Sequence, residues 1–596
     1  MRKVKIASIW AVLSLFLGSG VLAVDAPPKF KVKSVVFEGN QAFGDGILKQ
    51  VMLTRPAGFL RSSYYYAEIF RDDLKNLVEL YRRNGYLEAD IAGTQVVIDS
   101  TGRTVHIHVQ ISEGELTCVE GVTVFGNIIF TDDLLFQKTK IRIGDPLNRK
   151  KIQDATLAIL TLYSNTGYLE AEVTPDIRVN QETHRALIDF VIHEKAQFTI
   201  SEIRLEGLQK TLAKVVQREL LFHPGEVVRY SSLLKSQRRL YLTGLFESVF
   251  IRPQPAADGN STQKCILIEL QEKMSREFNI GIGYGSVEKA RVKLGVSNTN
   301  LAGTARKIGL TTRISFVNRC LEASFTEPWT LGSPWRTDAN LLTEYLEEPG
   351  FDLRRTGGRV EIGRSFWERS NASITYRYED AKLSHVRVRP VPEKYKSHVR
   401  SLTLSLNYDS RDNLFNASQG LYLEWTTEFA GSFLHSTDTF VRSIERFKYL
   451  YPWKSSTILA GSLELGWMDF FGTSHDIPLN ERFYTGGPNS LRGFGYRLVG
   501  PLDQHNVPTG GKSKLVCNLE IRHSLYKMIG LVVFVDLGNV WSDPKHYHFS
   551  DLRTSPGFGL RVNTPIGILR CDYGINLQPR KGESPGRWVF NMGQAF

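Results

Sequence analysis

Two different periodicities divide the chain. Up to about residue 274, short alternating segments frame amphipathic ones; beyond it, apolar and polar residues alternate with period two, broken by clusters of Gly, Asn, Asp and Pro. Leu402, Leu404, Leu406 and Tyr408 interleave with Ser401, Thr403, Ser405 and Asn407, and Leu421, Leu423, Trp425, Thr427 and Phe429 with Tyr422, Glu424, Thr426 and Glu428. Such alternation gives each segment one polar and one apolar face and predicts strands rather than helices. At roughly 20 residues per strand and connection, residues 275–596 predict an antiparallel β-barrel of about 16 strands, an even number as in bacterial membrane barrels. A soluble sandwich or propeller is the competing architecture at this point.

The first part repeats itself. VKSVVFEGN, VEGVTVFGN and ISEIRLEGL each read as a strand entering a turn, with Gly39, Gly126 and Gly207 spaced by 87 and 81 residues. An amphipathic helix follows and ends near a tyrosine and a glycine, in YRRNGYLEAD, YSNTGYLEAE and YLTGLFESVF, at Gly85, Gly167 and Gly244. Each repeat closes on an apolar strand running into an acid: Glu113, Glu194 and Glu272. In the first repeat Leu74, Leu77, Val78 and Tyr81 fall at i, i+3, i+4 and i+7, the spacing of one buried helix face. The order strand, helix, helix, strand, strand predicts three small α+β modules, at residues 29–114, 115–196 and 197–274. No nucleophile, carboxylate pair or ligand cluster recurs among them, so no enzyme is expected. His106 and His108 share one face of what reads as an edge strand, but a third metal ligand is missing. A small sheet with a free edge suits another task, the addition of a guest strand through backbone hydrogen bonds.

Compartment and chemistry enter through fewer residues. Arg2, Lys3 and Lys5, the apolar residues 7–17 and the small-residue end Val21-Leu22-Ala23 form an export-signal pattern over residues 1–23. No later run reaches the roughly 18–20 apolar residues of a spanning helix, so a membrane-resident mature chain would cross with strands. The formal charge of +12 suits an anionic surface but does not decide a fold. Cys118, Cys265, Cys320, Cys517 and Cys571 are scattered and odd in number, which predicts neither a disulfide framework nor a metal site. The glycine-rich GIGYGS at 281–286 lacks the following helix start and Lys-Ser/Thr of a phosphate loop and reads as the first barrel strand.

On the polar faces, charges of both signs recur. Asn518, Glu520 and Arg522 oppose Leu515, Cys517, Leu519 and Ile521; Asp536 opposes Val533, Val535 and Leu537; Arg570 and Asp572 oppose Leu569, Cys571 and Tyr573. Facing lipid at mid-depth, each Arg would cost about 2–4 kcal/mol, so these residues are expected to line a lumen. At the C-terminus Trp588, Phe590, Met592, Gln594 and Phe596 share a face, and the chain ends on an aromatic. GGPNSLRGFGYRLVG, residues 486–500, holds two cations, Arg492 and Arg497, and no acid; Arg492 sits between Leu491 and Gly493.

These segments resemble the BamA-like and TamA-like outer-membrane assembly factors, built from periplasmic POTRA modules and a 16-stranded barrel. GGPNSLRGF is similar to the family's sixth-loop signature, VFVDLGNVW to its FxDxG strand, SPGFGLRVNTPIGILRCDYG to its penultimate region and WVFNMGQAF to its last strand. YDSRDNLFNASQG resembles a strand-turn segment that departs from the family in lacking a proline near Asn416. The resemblance implies that the loop folds into the lumen, with Gly486, Gly487, Arg492, Gly493 and Phe494 as its motif. It further implies that Arg492 pairs with Asp536, with Glu520 close by, and that Trp588, Phe590, Met592 and Phe596 form the terminal strand signal at a seam with residues 277–284.

The function implied is non-enzymatic: POTRA modules receive unfolded outer-membrane protein or autotransporter clients, and the barrel inserts them through its seam into outer-membrane lipid. Periplasm-spanning or lipoprotein accessory subunits are further expected partners; nucleic acid, metal and cofactor are not. Three modules fit the TamA-like branch better than the five-module BamA-like one. A shortened BamA-like factor and a two-partner secretion pore are the alternatives, the latter disfavoured by the lack of room for a plug helix. A passive porin would leave the repeats unexplained, and a linked lipase would need a G-x-S-x-G elbow that the sequence lacks. The expected location is the outer membrane of a diderm bacterium, with the modules in the periplasm.

Overall fold

In the computed structural model, residues 30–56, 63–256, 262–454, 456–472, 474–526, 528–544, 547–565 and 567–595 are described. The expected export signal, residues 1–23, and Phe596 lie outside the described residues. Module 1 comprises β1 (Lys31–Glu38), α1 (Asp45–Val51), α2 (Ala67–Arg83), β2 (Asp90–Asp99) and β3 (Thr104–Ser112). Module 2 repeats it as β4 (Cys118–Phe125), α3 (Asp132–Thr139), α4 (Arg149–Asn165), β5 (Glu172–Asn180) and β6 (Arg185–His193). Module 3 does so as β7 (Thr199–Glu206), α5 (Ala213–Gln217), α6 (Tyr230–Leu242), β8 (Phe246–Pro255) and β9 (Gln263–Glu272). The sheets run β1-β3-β2, β4-β6-β5 and β7-β9-β8, so the last strand of each module is central.

That order corrects the reading of His106 and His108, which lie on the central strand β3 and not on an edge. Their partners are on parallel β1: His106 Nδ1 meets Ser34 Oγ at 2.7 Å, and His108 Nε2 lies 3.0 Å from Glu38. The buried face of α2 also differs from the spacing expected, running through Phe70, Asp73, Leu77 and Tyr81, with Leu74 packed at its margin and Val78 half-buried. Asp73 turns inward because its two carboxylate oxygens accept the backbone N–H groups of Leu53 and Thr54, each at 2.8 Å. A buried acid is tolerable when hydrogen-bonded in this way.

The repeated glycines and acids have one structural cause. Gly39, Gly126 and Gly207 have φ of 82°, 83° and 88°, and a Cβ there would lie 2.1, 2.2 and 1.9 Å from the carbonyl oxygens of Ile111, Ile192 and Leu270. Only glycine combines left-handed backbone with that approach. The loop so formed donates to the closing acid: Ala42 N–H to Glu113, Ile128 and Ile129 N–H to Glu194, and the N–H groups of residues 209–211 to Glu272. Glu194 also accepts the Tyr163 hydroxyl at 2.7 Å. Burial works to raise its pKa, but these donors outweigh it and hold the carboxyl below its ordinary value, while burial and the same acid push the Tyr163 phenol up. Because the folded-state pKa of Glu194 is depressed, its contribution is full above the ordinary carboxylate value near 4.5 and is lost as pH falls through the lower folded value. Glu194→Gln is therefore expected to cost about 1–2 kcal/mol at neutral pH and to flatten the acid limb of urea unfolding followed by fluorescence.

Two compact units result, one containing residues up to Ser201 with Pro224–Ser231 and Pro255–Lys264, the other Glu202–His223, Ser232–Gln254 and Cys265–Phe596. Sixteen strands of the second unit form one antiparallel sheet in sequence order. They begin with β10 (Arg276–Gly285), β11 (Lys289–Leu301), β12 (Arg306–Ser315), β13 (Asn318–Glu327), β14 (Arg336–Glu347), β15 (Asp352–Trp367), β16 (Ser370–Ser384) and β17 (Lys396–Asp409). The second half comprises β18 (Gly420–Ala430), β19 (Phe440–Lys454), β20 (Thr457–Phe470), β21 (Ser513–Tyr526), β22 (Ile529–Trp541), β23 (Arg553–Thr564), β24 (Gly567–Ile575) and β25 (Gly586–Met592).

Alternation assigns the faces. Leu341, Val360, Ile362, Ile374, Leu402 and Leu404 are exposed outward, whereas Glu344, Glu379, Ser401 and Glu428 are buried on the lumen side. An exposed apolar band around a closed set of strands is a lipid-facing surface. The β11–β12 turn marks one end: Asn300 Nδ2 donates to Thr211 Oγ1 at 2.8 Å and Leu212 N–H to the Gly303 carbonyl at 2.9 Å, so this end adjoins module 3. No helix among the described residues is long and apolar enough to cross a membrane.

Candidate functional site

The connection between β20 and β21, residues 471–512, does not stand away from the barrel. It pairs with itself at Phe483 with Gly511, Thr485 with Val499 and Leu502 with Pro508, and it buries Leu491, Phe494 and Val499 against Val516 of β21. Gly486 and Gly487, with φ of 105° and 103°, carry the bend that brings residues 488–493 to the inner wall. Gly493 then lies so close to β24 that a Cβ would stand 2.7 Å from the Ile575 carbonyl oxygen, and one on Gly574 would stand 2.4 Å from the Gly493 nitrogen. Glycine on both sides permits the backbone contact.

This bend delivers Arg492, fully buried, to a carboxylate cluster. Arg492 Nε and Nη2 donate to the two oxygens of Asp536 at 2.9 and 2.6 Å, its backbone N–H donates to Asp536 at 3.0 Å, and Nη1 donates to Glu520 at 2.6 Å. Asp572 lies 3.5 Å from Nη1, and the guanidinium carbon sits 3.3 Å from the centre of the Phe534 ring. A planar fork with donors on two edges and an aromatic face below is a use that arginine alone can fill. Asn518 Nδ2 ties Asp536 to the loop, donating to its Oδ1 at 2.8 Å and to the Ser490 carbonyl at 2.6 Å. Around this core Arg522 bonds Glu520 at 2.7 Å, Arg561 bonds Asp572, and Arg570 donates to the Pro488 carbonyl at 2.9 Å. Four guanidinium groups and three carboxylates thus meet at this contact.

The structure brings Arg492, Asp536 and Glu520 together and adds Asp572, which inner-face parity had placed on the wall without a partner. Phe494 packs beneath Arg553, whose guanidinium carbon is 4.7 Å from its ring centre. Trp588, Phe590 and Met592 lie elsewhere, on β25: Trp588 and Phe590 face outward, and the Trp588 ring packs at a tilt against Tyr573, 4.9 Å between centres.

A second anchor of the loop was not foreseen. Glu481 is buried and accepts from Arg377 Nη1 and Nη2 at 3.3 and 3.2 Å and from Arg442 Nη1 at 3.1 Å. Arg377 and Arg442 also reach Glu428, Ser401 donates to Glu428 at 2.6 Å, and Arg355 bridges Glu344 and Glu379 at 2.6 and 3.3 Å. The loop is therefore held at two places on the wall, by Arg492 on β21, β22 and β24 and by Glu481 on β16 and β19. The sequence signal was the lumen parity of Arg355, Arg377, Glu379, Glu428 and Arg442. No group of three or more His, Cys, Asp or Glu suited to a metal occurs among the described residues.

The seam is the other unusual feature. Every neighbouring pair from β10 to β25 forms a ladder, but β25 and β10 do not pair as strands. Among the described residues they are joined at one point, where Ser286 N–H donates to the Phe590 carbonyl at 3.0 Å and Ser286 Oγ accepts the Phe590 N–H at 2.8 Å.

An Omp85 superfamily domain matches residues 300–596, and the POTRA surface antigen variable number repeat matches residues 30–114, 118–195 and 198–273. The chain is 25% identical to the outer membrane protein assembly factor BamA of Nitratidesulfovibrio vulgaris over 97% of its own length and 74% of the relative's. It is 23% identical to the BamA of Neisseria meningitidis serogroup B over 96% and 79% of the two chains. The crystal structure of BamA from Haemophilus ducreyi lacking POTRA domains 1-3 has the same fold, with a TM-score of 0.66 and 20% identity over 80% of this chain and 99% of that one. The barrel lies in the outer membrane and the POTRA modules in the periplasm. With its three POTRA repeats and its 16-stranded barrel closed around an inward-folded loop, the chain belongs to the Omp85 superfamily.

Proposed function

We propose that this chain is an outer-membrane protein assembly factor that captures unfolded client strands on its POTRA modules and inserts them into the membrane at the β10–β25 seam. The observation that carries this reading is the seam itself, the one neighbouring pair in the sheet without a ladder. Unpaired backbone in lipid costs several kcal/mol per group, so an edge held at one point favours pairing with an incoming strand. A pore that threads its cargo through the lumen would instead need the loop out of the way, and here two ion networks hold it inside.

The modules support the receiving step. Among their outer edges, β5 carries Pro175 and β8 carries Pro253 and Pro255, which blunt strand addition, whereas β2 carries no proline and exposes Val97 and Ile98. Guest strands are therefore directed to module 1 first.

Depleting the chain and profiling the outer membrane tests the reading. Broad loss of folded barrels is expected for general assembly; unchanged barrels with one missing secreted protein would refute it in favour of a secretion pore. A second outcome, selective loss of autotransporters or a few complex barrels, is what the module count favours and corresponds to the TamA-like branch.

A further inference from the structure

The outer face of β13–β17 carries a row of cations at the end of the barrel away from module 3. Strand register sets Arg319 opposite Tyr345, Tyr345 opposite Arg354, Arg354 opposite Lys382 and Lys382 opposite Lys396. Arg319, Arg354, Lys382 and Lys396 are exposed and share the outward parity. Adjacent strands are about 4.8 Å apart, so Arg354, Lys382 and Lys396 confront one another as direct cross-strand neighbours, and like charges directly opposite are destabilising.

None of the four forms an ion pair among the described residues, whereas Asp352 and Asp380 are engaged elsewhere. Asp352 accepts from Arg387 Nη2 at 2.9 Å and the Tyr345 hydroxyl at 3.0 Å, Asp380 contacts Arg400 at 3.2 Å, and Arg400 stacks on Tyr378 at 3.7 Å. Glu347 stands one row further out and forms no ion pair among the described residues. Four residues along the strands from this row, Leu341 and Tyr378 are already 68% and 42% exposed, the start of the lipid-facing band. In the next row inward the hydroxyls of Thr343 and Thr356 lie 3.2 Å apart.

We propose that this row binds the phosphate-bearing headgroup of an outer-leaflet lipid, whose acyl chains lie on the apolar strip below. The arrangement matches such a ligand in three ways: cations spaced along one line, hydroxyls just inside it, and an exposed apolar surface that continues from them. A free anion would use only the first. Bound here, a lipid would relieve the repulsion between β15, β16 and β17 and stiffen the side of the barrel remote from the seam. The proposal does not depend on the assembly function, since it concerns the lipid-facing wall alone.

The test uses the full chain, wild type and the triple variant Arg354→Gln/Lys382→Gln/Lys396→Gln, in phosphatidylcholine nanodiscs doped with lipid A, with dephosphorylated lipid A or with phosphatidylglycerol. Retained lipid is read by native mass spectrometry and barrel stability by heat-modified gel migration. At roughly fivefold per cation near a membrane surface, the wild type is expected to retain lipid A on the order of 100-fold more strongly than the variant. The variant is expected to be the more heat-stable of the two in pure phosphatidylcholine and the less stable with lipid A, because the repulsion is gone but so is the ligand. Preference for lipid A over phosphatidylglycerol would assign the glycolipid; equal retention would assign lipid phosphate in general; both uphold the site. Equal retention of dephosphorylated and phosphorylated lipid A by the wild type, a comparison that needs no variant, would overturn it, as would equal retention of lipid A by the two proteins.

Discussion

Arg492→Ala is expected to destabilise the barrel by about 3–5 kcal/mol, the cost of removing one partner from a buried ion pair, and to abolish most client assembly. The cause is not the loss of one bond. Asp536, Glu520 and Asp572 are all buried, and the guanidinium serves the first two directly while standing 3.5 Å from the third. A free-energy loss of about 3 kcal/mol shifts the docked-to-undocked ratio of the loop by roughly 100-fold. Arg492→Lys is expected to lose about half as much, because one ammonium keeps the charge but cannot fork to two carboxylates and stack on Phe534. Asp536→Ala is expected to approach Arg492→Ala, since it strips acceptors from the Arg492 backbone and side chain and from Asn518. Exchanging the two charges recovers little, because Glu520 and Asp572 would then face a third carboxylate. Heat-modified gel migration and the level of assembled clients measure both effects; wild-type values in Asp536→Ala would show that the contact holds neither the loop nor the function.

The architecture was legible because its signals are local. Alternation in each strand and the spacing of Gly39, Gly126 and Gly207 and of Glu113, Glu194 and Glu272 are properties of short segments, and they give the modules and the barrel. Strand order is not local. His106 and His108 are central because the helices carry the chain across before β3 inserts beside β1 in parallel, and one strand's sequence contains no record of that crossover.

The lumen divides in the same way. Parity puts Glu520, Asp536 and Asp572 on one wall, but which of them the loop meets depends on where Gly486 and Gly487 turn it and how closely Gly493 approaches Gly574. Glu481 lies in an aperiodic loop, and its partners Arg377 and Arg442 come from β16 and β19, so that network exists only once the sheet closes. The seam was foreseen only through the family resemblance of the first and last strands, since β10 and β25 alternate as the other strands do. What distinguishes β25 is its length, 7 residues against 14 in β21.

A disulfide across the seam is expected to stop client insertion without unfolding the barrel. Ser286→Cys with Phe590→Cys places the thiols just past β10, at the one point where, among the described residues, the two edges are hydrogen-bonded, in a chain whose five native cysteines, all free, are first replaced by Ser. Phe278→Cys with Val296→Cys makes the matched control, because these residues face each other within the β10–β11 ladder, which has no reason to open. A covalent link at Ser286 turns a junction of a few hydrogen bonds, each worth about 0.5–1.5 kcal/mol net, into one that thermal motion does not break. Under oxidising conditions the seam pair is expected to reduce newly assembled clients by at least about tenfold, matching a loss of 1.4 kcal/mol or more in access to the open edge. A reductant should restore them, and the control pair should assemble clients at the wild-type level in both conditions. Full assembly through an oxidised seam, with the crosslink verified by non-reducing gel, would mean that clients are not inserted between β25 and β10, and the lumen, held by Arg492 and Glu481, would have to open instead.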